Sequence, residues 1–227
     1  MTSVLTVNVA SPRPNPAKPS VTTGIVKVPT DGAVAVRAPG PSPAGLGSGL
    51  ESDTIGNRRL HGGDDQAVYA YAREDLDRWQ TRLDRTLDNG NFGENLTTSG
   101  IDVTHAVIGE RWQVGDDGLV LEVTSPRTPC KTFAAWLDVP DLIRTFTDIA
   151  EPGAYLRIIN AGTVRAGDAI VVAERPDHGI TVQTVFKAIL REPELLAQLR
   201  HLDTLPADIR RKAQRRDARS AGSRQTS

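Results

Sequence analysis

The chain has 227 residues, 27 Lys+Arg against 28 Asp+Glu for a formal net charge of −1, 38% hydrophobic and 24% charged residues. This is the make-up of a globular protein, without the basic excess that would draw it onto nucleic acid or an anionic membrane. No apolar run is long enough to span a bilayer, and the single Cys excludes an internal disulfide, an iron–sulfur cluster and a multi-cysteine zinc site.

Residues 1–10, MTSVLTVNVA, alternate weakly and predict a first strand. SPRPNPAKPS follows with four prolines and reads as a loop, because Pro lacks the donor a sheet ladder needs. VTTGIVKVPTDGAVAVRAPG predicts strand, turn at Thr30–Gly32 and strand, with Asp31-Gly32 as a hairpin turn tolerant of positive φ. PSPAGLGSGLESDTIGNRRLHGG is Gly/Ser/Pro-rich and predicts a long loop of the kind that carries function. DDQAVYAYAREDLDRWQTRL predicts the clearest helix of the first half, capped by Asp64 or Asp65, with Leu76, Trp79 and Leu83 at helical spacing. NFGENLTTSGID is turn-rich.

HAVIGERWQVGDDGLVLEVTSP and GAYLRIINAGTVRAGDAIVVAER then read as short strands separated by Gly-containing turns. The expected fold is therefore mainly β, a barrel-like domain with a few helices over residues 1–176. TVQTVFKAIL, EPELLAQLRHL and LPADIRRKAQRR predict a small C-terminal three-helix segment, 177–216, too small to stand alone. DARSAGSRQTS, 217–227, is polar without periodicity and is expected to be disordered. The arginines before and within it read as a solvated helical face rather than a nucleic-acid site. The absence of a leader pattern and the lone thiol predict a cytoplasmic, reducing location.

That thiol, Cys130, sits in TSPRTPCKTF between two prolines' reach and two cations, Arg127 and Lys131. Cations favour the thiolate, the form that attacks and that binds metal. Pro126 and Pro129 stiffen the loop, which suits a ligand position. The competing reading is a small buried hydrophobe at a strand end.

A resemblance changes the weighing. SPRTPCKTF resembles the cysteine segment of the MOSC family, named for the C-terminal domain of molybdenum-cofactor sulfurases. RRLHGGDDQAVYAYAREDLDRW, NFGENLTTSGID, VIGERWQVG and GAYLRIINAGTVRAGDAI resemble that family's other segments, in its order. The spacing is similar to that of the YiiM-like branch, in which short helices follow the core. The resemblance implies a MOSC-type β-barrel that binds molybdenum cofactor (molybdopterin), with Cys130 as the ligand to the metal. A soft thiolate suits a sulfur-rich site, and the cations can neutralise the cofactor phosphate.

The resemblance also implies site roles for other residues. His61 is placed on the cofactor side as a hydrogen-bonding and catalytic residue, with a surface turn as the competing reading. Gly62 and Gly63 offer backbone amides to an anion. Arg58 and Arg59 are candidate phosphate ligands or a solvated charge pair. Gln66 stands where YiiM-like proteins often carry a basic residue, which puts more of the phosphate contact on Arg127 and Lys131. Glu94 is a candidate proton relay and Asn95 its neighbour in the site, against a purely structural turn. Phe92 and Leu96 are expected to anchor that loop in the core, and Trp79, Trp112 and Trp136 to be packing residues.

What the family implies is an oxidoreductase that reduces N-hydroxylated compounds, such as hydroxylated base analogues, with electrons from an external reductase. A second reading is a carrier of molybdenum cofactor or sulfur without turnover of its own. A third is a barrel that has lost the cofactor and binds a partner. No membrane is expected as a partner, and a second copy of the chain, as a homodimer, is a further candidate.

Overall fold

The computed structural model describes residues 1–224. The strands are β1 (Ser3–Val9), β2 (Arg13–Asn15), β3 (Lys18–Thr23), β4 (Val28–Pro29), β5 (Val34–Val36), β6 (Val68–Ala72), β7 (Leu96–Ser99), β8 (Arg111–Val114), β9 (Leu119–Pro126), β10 (Ala154–Asn160), β11 (Gly162–Val164) and β12 (Ile170–Glu174). The α-helices are α1 (Arg73–Leu83), α2 (Lys131–Leu137), α3 (Leu142–Ile149), α4 (Val182–Leu190), α5 (Leu196–Leu199) and α6 (Ala207–Arg224).

Eight strands form one sheet in the order β12-β8-β9-β10-β6-β7-β1-β4, with β5–β11 and β2–β3 as separate pairs. Every pairing is antiparallel except β6–β7. That exception follows from connectivity: α1 lies between β6 and β7, and a crossover helix returns the chain in the same direction. The expected closed barrel is not formed. Between β1 and the β12 end there is one isolated bridge, Ser3–Ala169, flanked by the bonds Val4 N–Asp168 O at 2.9 Å and Gly167 N–Val4 O at 2.8 Å. The sheet curls until β1, its last strand but one, touches the segment leading into β12, but it does not zip.

β6 explains how the interior divides. Alternate strand residues face opposite sides. Val68, Ala70 and Ala72 enter the main aliphatic core, whereas Tyr69 and Tyr71 enter an aromatic cluster with Trp79, Phe92, Phe133, Phe146 and Phe186. Phe92 is the hub of that cluster, 4.9 Å from the Tyr71 ring and 5.1 Å from Phe133. Leu96 lies in the aliphatic core. Trp79 and Trp112 are buried, and Trp136 Nε1 donates to Asn91 O at 3.0 Å. All three are therefore packing residues.

Several elements differ from expectation. Residues 64–72 are not helical beyond a 3-10 turn at Asp64–Gln66; β6 follows, and α1 starts only at Arg73, with Ala72 at its N-cap. Asp31-Gly32 does not make a hairpin, because β4 pairs with β1 and β5 with β11. The proline-rich loop contains the β2–β3 hairpin. The helices α2 and α3 occupy a stretch for which no element was predicted.

The C-terminal helices pack on the sheet. Thr181 caps α4 by accepting from Thr184 N at 3.2 Å. Val182, Val185, Leu199, Ile209 and Ala213 share the aliphatic core with the strands. Arg157 on β10 ties the two together, donating to Glu122 Oε1 at 2.8 Å and to Thr204 O at 3.2 Å. α6 stays helical through Arg224, past the point at which a disordered tail was expected; residues 225–227 of that tail lie outside the described residues. Among the described residues no helix is long and apolar enough to cross a membrane.

Candidate functional site

At the C-terminal end of β9 the chain leaves the sheet through Arg127–Pro129 and enters α2, with Cys130 as the extended N-cap residue. Cys130 is half-buried. It backs onto the aromatic cluster and opens onto a cavity of about 690 Å³. Most of the wall comes from four regions: the β2–β3 hairpin and the segment after it, the 54–62 loop, β6 with the 93–95 turn, and the 127–132 segment; Pro43, Gln66 and Tyr155 of β10 complete it.

The charge on this wall is one-sided. Lys27, Arg58, Arg59, Arg127 and Lys131 line it, with His61, and no carboxylate does among the described residues. These cations are not equivalent. Lys27 Nζ is buried 2.5 Å from Asp53 Oδ1. Burial pulls its pKa below the usual lysine value, and Asp53 only partly offsets this. Asp53 also accepts from Ser48 Oγ at 2.7 Å and Asn95 Nδ2 at 2.9 Å.

Arg127 is 6% exposed. Its Nη1 donates to Phe92 O at 2.8 Å, and its guanidinium lies 4.2 Å from the Phe133 ring centroid and 5.3 Å from Tyr69. Burial works against its charge, but Tyr69, Tyr155 and Cys130 outweigh that and raise its pKa. Arg127 was expected to grip phosphate with a free fork. It is instead built into the wall behind Cys130, part of its fork committed to a backbone carbonyl.

Arg58 is exposed and donates from Nη1 to Gly45 O at 3.2 Å. Arg59 and Lys131 are exposed, and among the described residues neither side chain has a protein partner, so both are free for an anionic ligand.

His61 lines the cavity, and its pKa is lowered by burial and by the Arg127 cation, so the ring is neutral at neutral pH. The two glycines after it serve a different purpose from the one expected. Gly62 N donates to Gln66 Oε1 at 3.2 Å and Gly63 N to Gly47 O at 2.9 Å, so neither amide is left for an anion. Their φ values are 78° and 83°, and a Cβ would lie 2.5 Å from Gly47 O and 2.8 Å from Ser42 N, respectively. They are glycines so that two loops can touch.

Glu94 is also corrected. It is fully buried, lies outside the cavity wall, and accepts from Gly90 N at 2.6 Å, Phe92 N at 3.0 Å and Thr97 Oγ1 at 2.8 Å. It organises its own loop and is not placed to relay protons to the cavity. Asn95 does reach the wall, but its amide is spent on Tyr69 N, Asp53 and Asn8 O. Glu94→Ala should therefore orphan two buried amides and lower stability by about 2–4 kcal/mol, read as a shifted urea midpoint. A midpoint matching the wild type would remove this structural role.

Lys27, Asp53, Tyr69, Tyr155, Asn15 and Thr132 were not among the predicted site residues. The signal for the first two existed only as a buried-lysine pattern in TGIVKVP, which needs its acid partner, 26 positions away, to be meaningful. Among the described residues no cluster of three or more His, Cys, Asp or Glu could hold a metal ion by itself. A second cavity of about 450 Å³ shares Lys27 with the first and adds Arg73, Leu87 and Asp88.

Comparison with known proteins places this geometry. The MOSC domain model matches residues 57–171, from the Arg58–His61 loop into β12. The chain is 31% identical over 182 residues to YflK of Bacillus subtilis, covering 80% of this chain and 77% of YflK. It is 30% identical over 148 residues to a protein named reductase from Gibberella moniliformis, covering 63% of this chain but only 26% of that longer protein. The crystal structure of YiiM from Geobacillus stearothermophilus aligns with a TM-score of 0.75 at 25% identity, covering 95% of this chain and 99% of that one. With half of its length in that match and Cys130 on the wall of its main cavity, the chain belongs to the MOSC domain family.

Proposed function

We propose that the cavity holds molybdenum cofactor, with Cys130 as the protein's ligand to the metal, and that the protein reduces the N–O bond of N-hydroxylated compounds. The observation that carries this is the wall itself: one thiol and five basic side chains, without a carboxylate among the described residues, in a chain of net charge −1. A cavity of about 690 Å³ has the size of a cofactor pocket. A thiolate is the soft donor such a metal favours, and Arg59 and Lys131 are the free cations for its phosphate. When bound, the cofactor supplies oxygen-atom transfer.

The chain's own residues hold, orient and protonate. Arg127, fixed by Phe92 O and two ring faces, sets the position and the positive surroundings of Cys130. Tyr69 and Tyr155 limit water on the inner wall. Converting R–NHOH to R–NH2 and water consumes two electrons and two protons. With Glu94 withdrawn, the proton-bearing side chains on the wall include Lys27, whose ammonium is held by Asp53, and His61. The electrons come from a separate reductase.

One observation favours the second reading, a cofactor carrier: no carboxylate faces the cavity among the described residues. The two are separated by one preparation. Protein made in a cofactor-competent host is assayed for molybdenum and oxidised pterin, then for dithionite-driven reduction of a hydroxylaminopurine. Bound cofactor with turnover supports the enzyme, and bound cofactor passed to an apo-acceptor without turnover supports the carrier. Protein without molybdenum or pterin would sink both.

A further inference from the structure

Strands β2 and β3 pair only with each other and stand outside the main sheet. Residues 11–14 and 16–22 are exposed, Asn15 is half-buried and Thr23 is buried. Despite this isolation the hairpin contributes Asn15, Val21, Thr22 and Thr23 to the cavity wall.

The two ends of the hairpin are held differently. The base is clamped. Ala10 N donates to Asp53 Oδ1 at 2.8 Å. A Cβ at Gly24 would lie 1.8 Å from Thr54 O, and one at Gly56 would lie 2.4 Å from Thr22 O, so the 54–56 loop presses directly on the end of β3. The tip is held by one side chain. Asn15 Oδ1 accepts from Ala17 N at 2.9 Å and shapes the turn, while Asn15 Nδ2 donates to Thr132 Oγ1 at 2.9 Å. Thr132 lies in the first turn of α2, two residues beyond Cys130. Among the described residues this is the hydrogen bond that joins residues 11–22 to the remainder of the protein.

We infer that the β2–β3 hairpin is a lid over the cavity, hinged at its clamped base and closed by an Asn15–Thr132 latch. Four prolines at positions 12, 14, 16 and 19 stiffen it, so that it moves as a unit. The latch is a neutral hydrogen bond near solvent, where water replaces it at little cost. The unlatched form is therefore a minor population always present, and a bulky ligand reaches Cys130 through it. This inference concerns access and holds whichever ligand the cavity takes.

The chain contains its own reporter, because Cys130 is its single thiol. The experiment follows alkylation of Cys130 in the whole 227-residue chain, free of cofactor, by iodoacetamide, which is small, and by fluorescein maleimide, which is bulky. Each variant's rate is taken relative to the wild type. Thr132→Val removes the latch and leaves the Asn15 turn intact, and Asn15→Ala removes both. Each should speed maleimide labelling about five- to tenfold, the effect of one lost hydrogen bond, and change iodoacetamide labelling less than twofold. The double variant should be no faster than the faster single one, because both substitutions break the same latch. Maleimide rates within twofold of the wild type in Thr132→Val would overturn the lid. So would equal acceleration of both reagents, which would mean that the surroundings of the sulfur changed rather than the gate. Should Asn15→Ala melt early, Thr132→Val decides alone.

Discussion

Cys130→Ala is expected to be purified folded and free of molybdenum. The thiol is half-buried at a helix N-cap, and its removal deletes one sulfur without opening the core, so stability should change by no more than about 1 kcal/mol. Affinity for the cofactor should fall at least about 100-fold, beyond what loss of a supporting residue costs. Cys130→Ser should retain little more, because a hydroxyl is a harder and less readily ionised donor. The check is metal content by mass spectrometry and pterin fluorescence after oxidation, beside a thermal melt. Stoichiometric molybdenum in Cys130→Ala would refute the ligand assignment.

Arg127→Ala should be the most damaging single change to the fold at this site. It removes a charged hydrogen bond to Phe92 O and two contacts with ring faces, and leaves that carbonyl unpaired at the centre of the aromatic cluster. The combined cost is about 3 kcal/mol, which for a chain of this size is a fall of roughly 6–12 °C in melting temperature. Arg127→Lys keeps the charge and loses the planar fork, so it should recover only part. Lys131→Ala and Arg59→Ala provide the contrast. Both side chains are exposed and, among the described residues, unpaired, so both variants should melt with the wild type while holding cofactor about tenfold more weakly. A wild-type melt for Arg127→Ala would show that its stacking contributes nothing. Unchanged cofactor retention in both surface variants would place the phosphate elsewhere.

How far the sequence foretold this site depends on what kind of information each residue carries. The cysteine loop stood out through the resemblance of its segment to the MOSC family; the lone thiol between prolines and cations by itself left a small buried hydrophobe equally open. The Gly-containing turn between β8 and β9 was legible because the two strands are neighbours in the chain and pair in register, Val114 with Leu119. β6 was hidden for a physical reason. It is buried on both faces, so its alternation separates two apolar environments and shows no polar side. With the strong periodicity of α1 directly behind it, VYAYA looks like the helix's first turns.

Glu94 shows a second limit: composition reveals a carboxylate, but not that two amides of its own loop and the Thr97 hydroxyl on β7 have claimed it. The HGG glycines show a third. A glycine announces a close approach without saying whether a ligand or another loop approaches. Lys27 with Asp53, and Asn15 with Thr132, are invisible in the chain because each pair exists only once distant segments have met.

The placement of β1 has a consequence for synthesis. It leaves the ribosome well before its ladder partner, β7, in which Ser99 lies opposite Ser3, and before residues 167–170, to which its outer edge is bonded. Among the described residues its nearby partners are confined to its last three residues: Asn8 and Val9 pair with β4, and Val7 O accepts from Thr30 N at 2.9 Å. At about 5–20 residues per second, β7 arrives roughly 5–20 s after β1 and the second contact later still. Throughout that interval the strand waits with the edge that β7 will take open and with only the end of its other edge covered by β4, the condition in which nascent chains aggregate or recruit chaperones. Translation speed through residues 10–170 therefore bears on the yield of soluble protein more than the stability of the finished sheet would suggest.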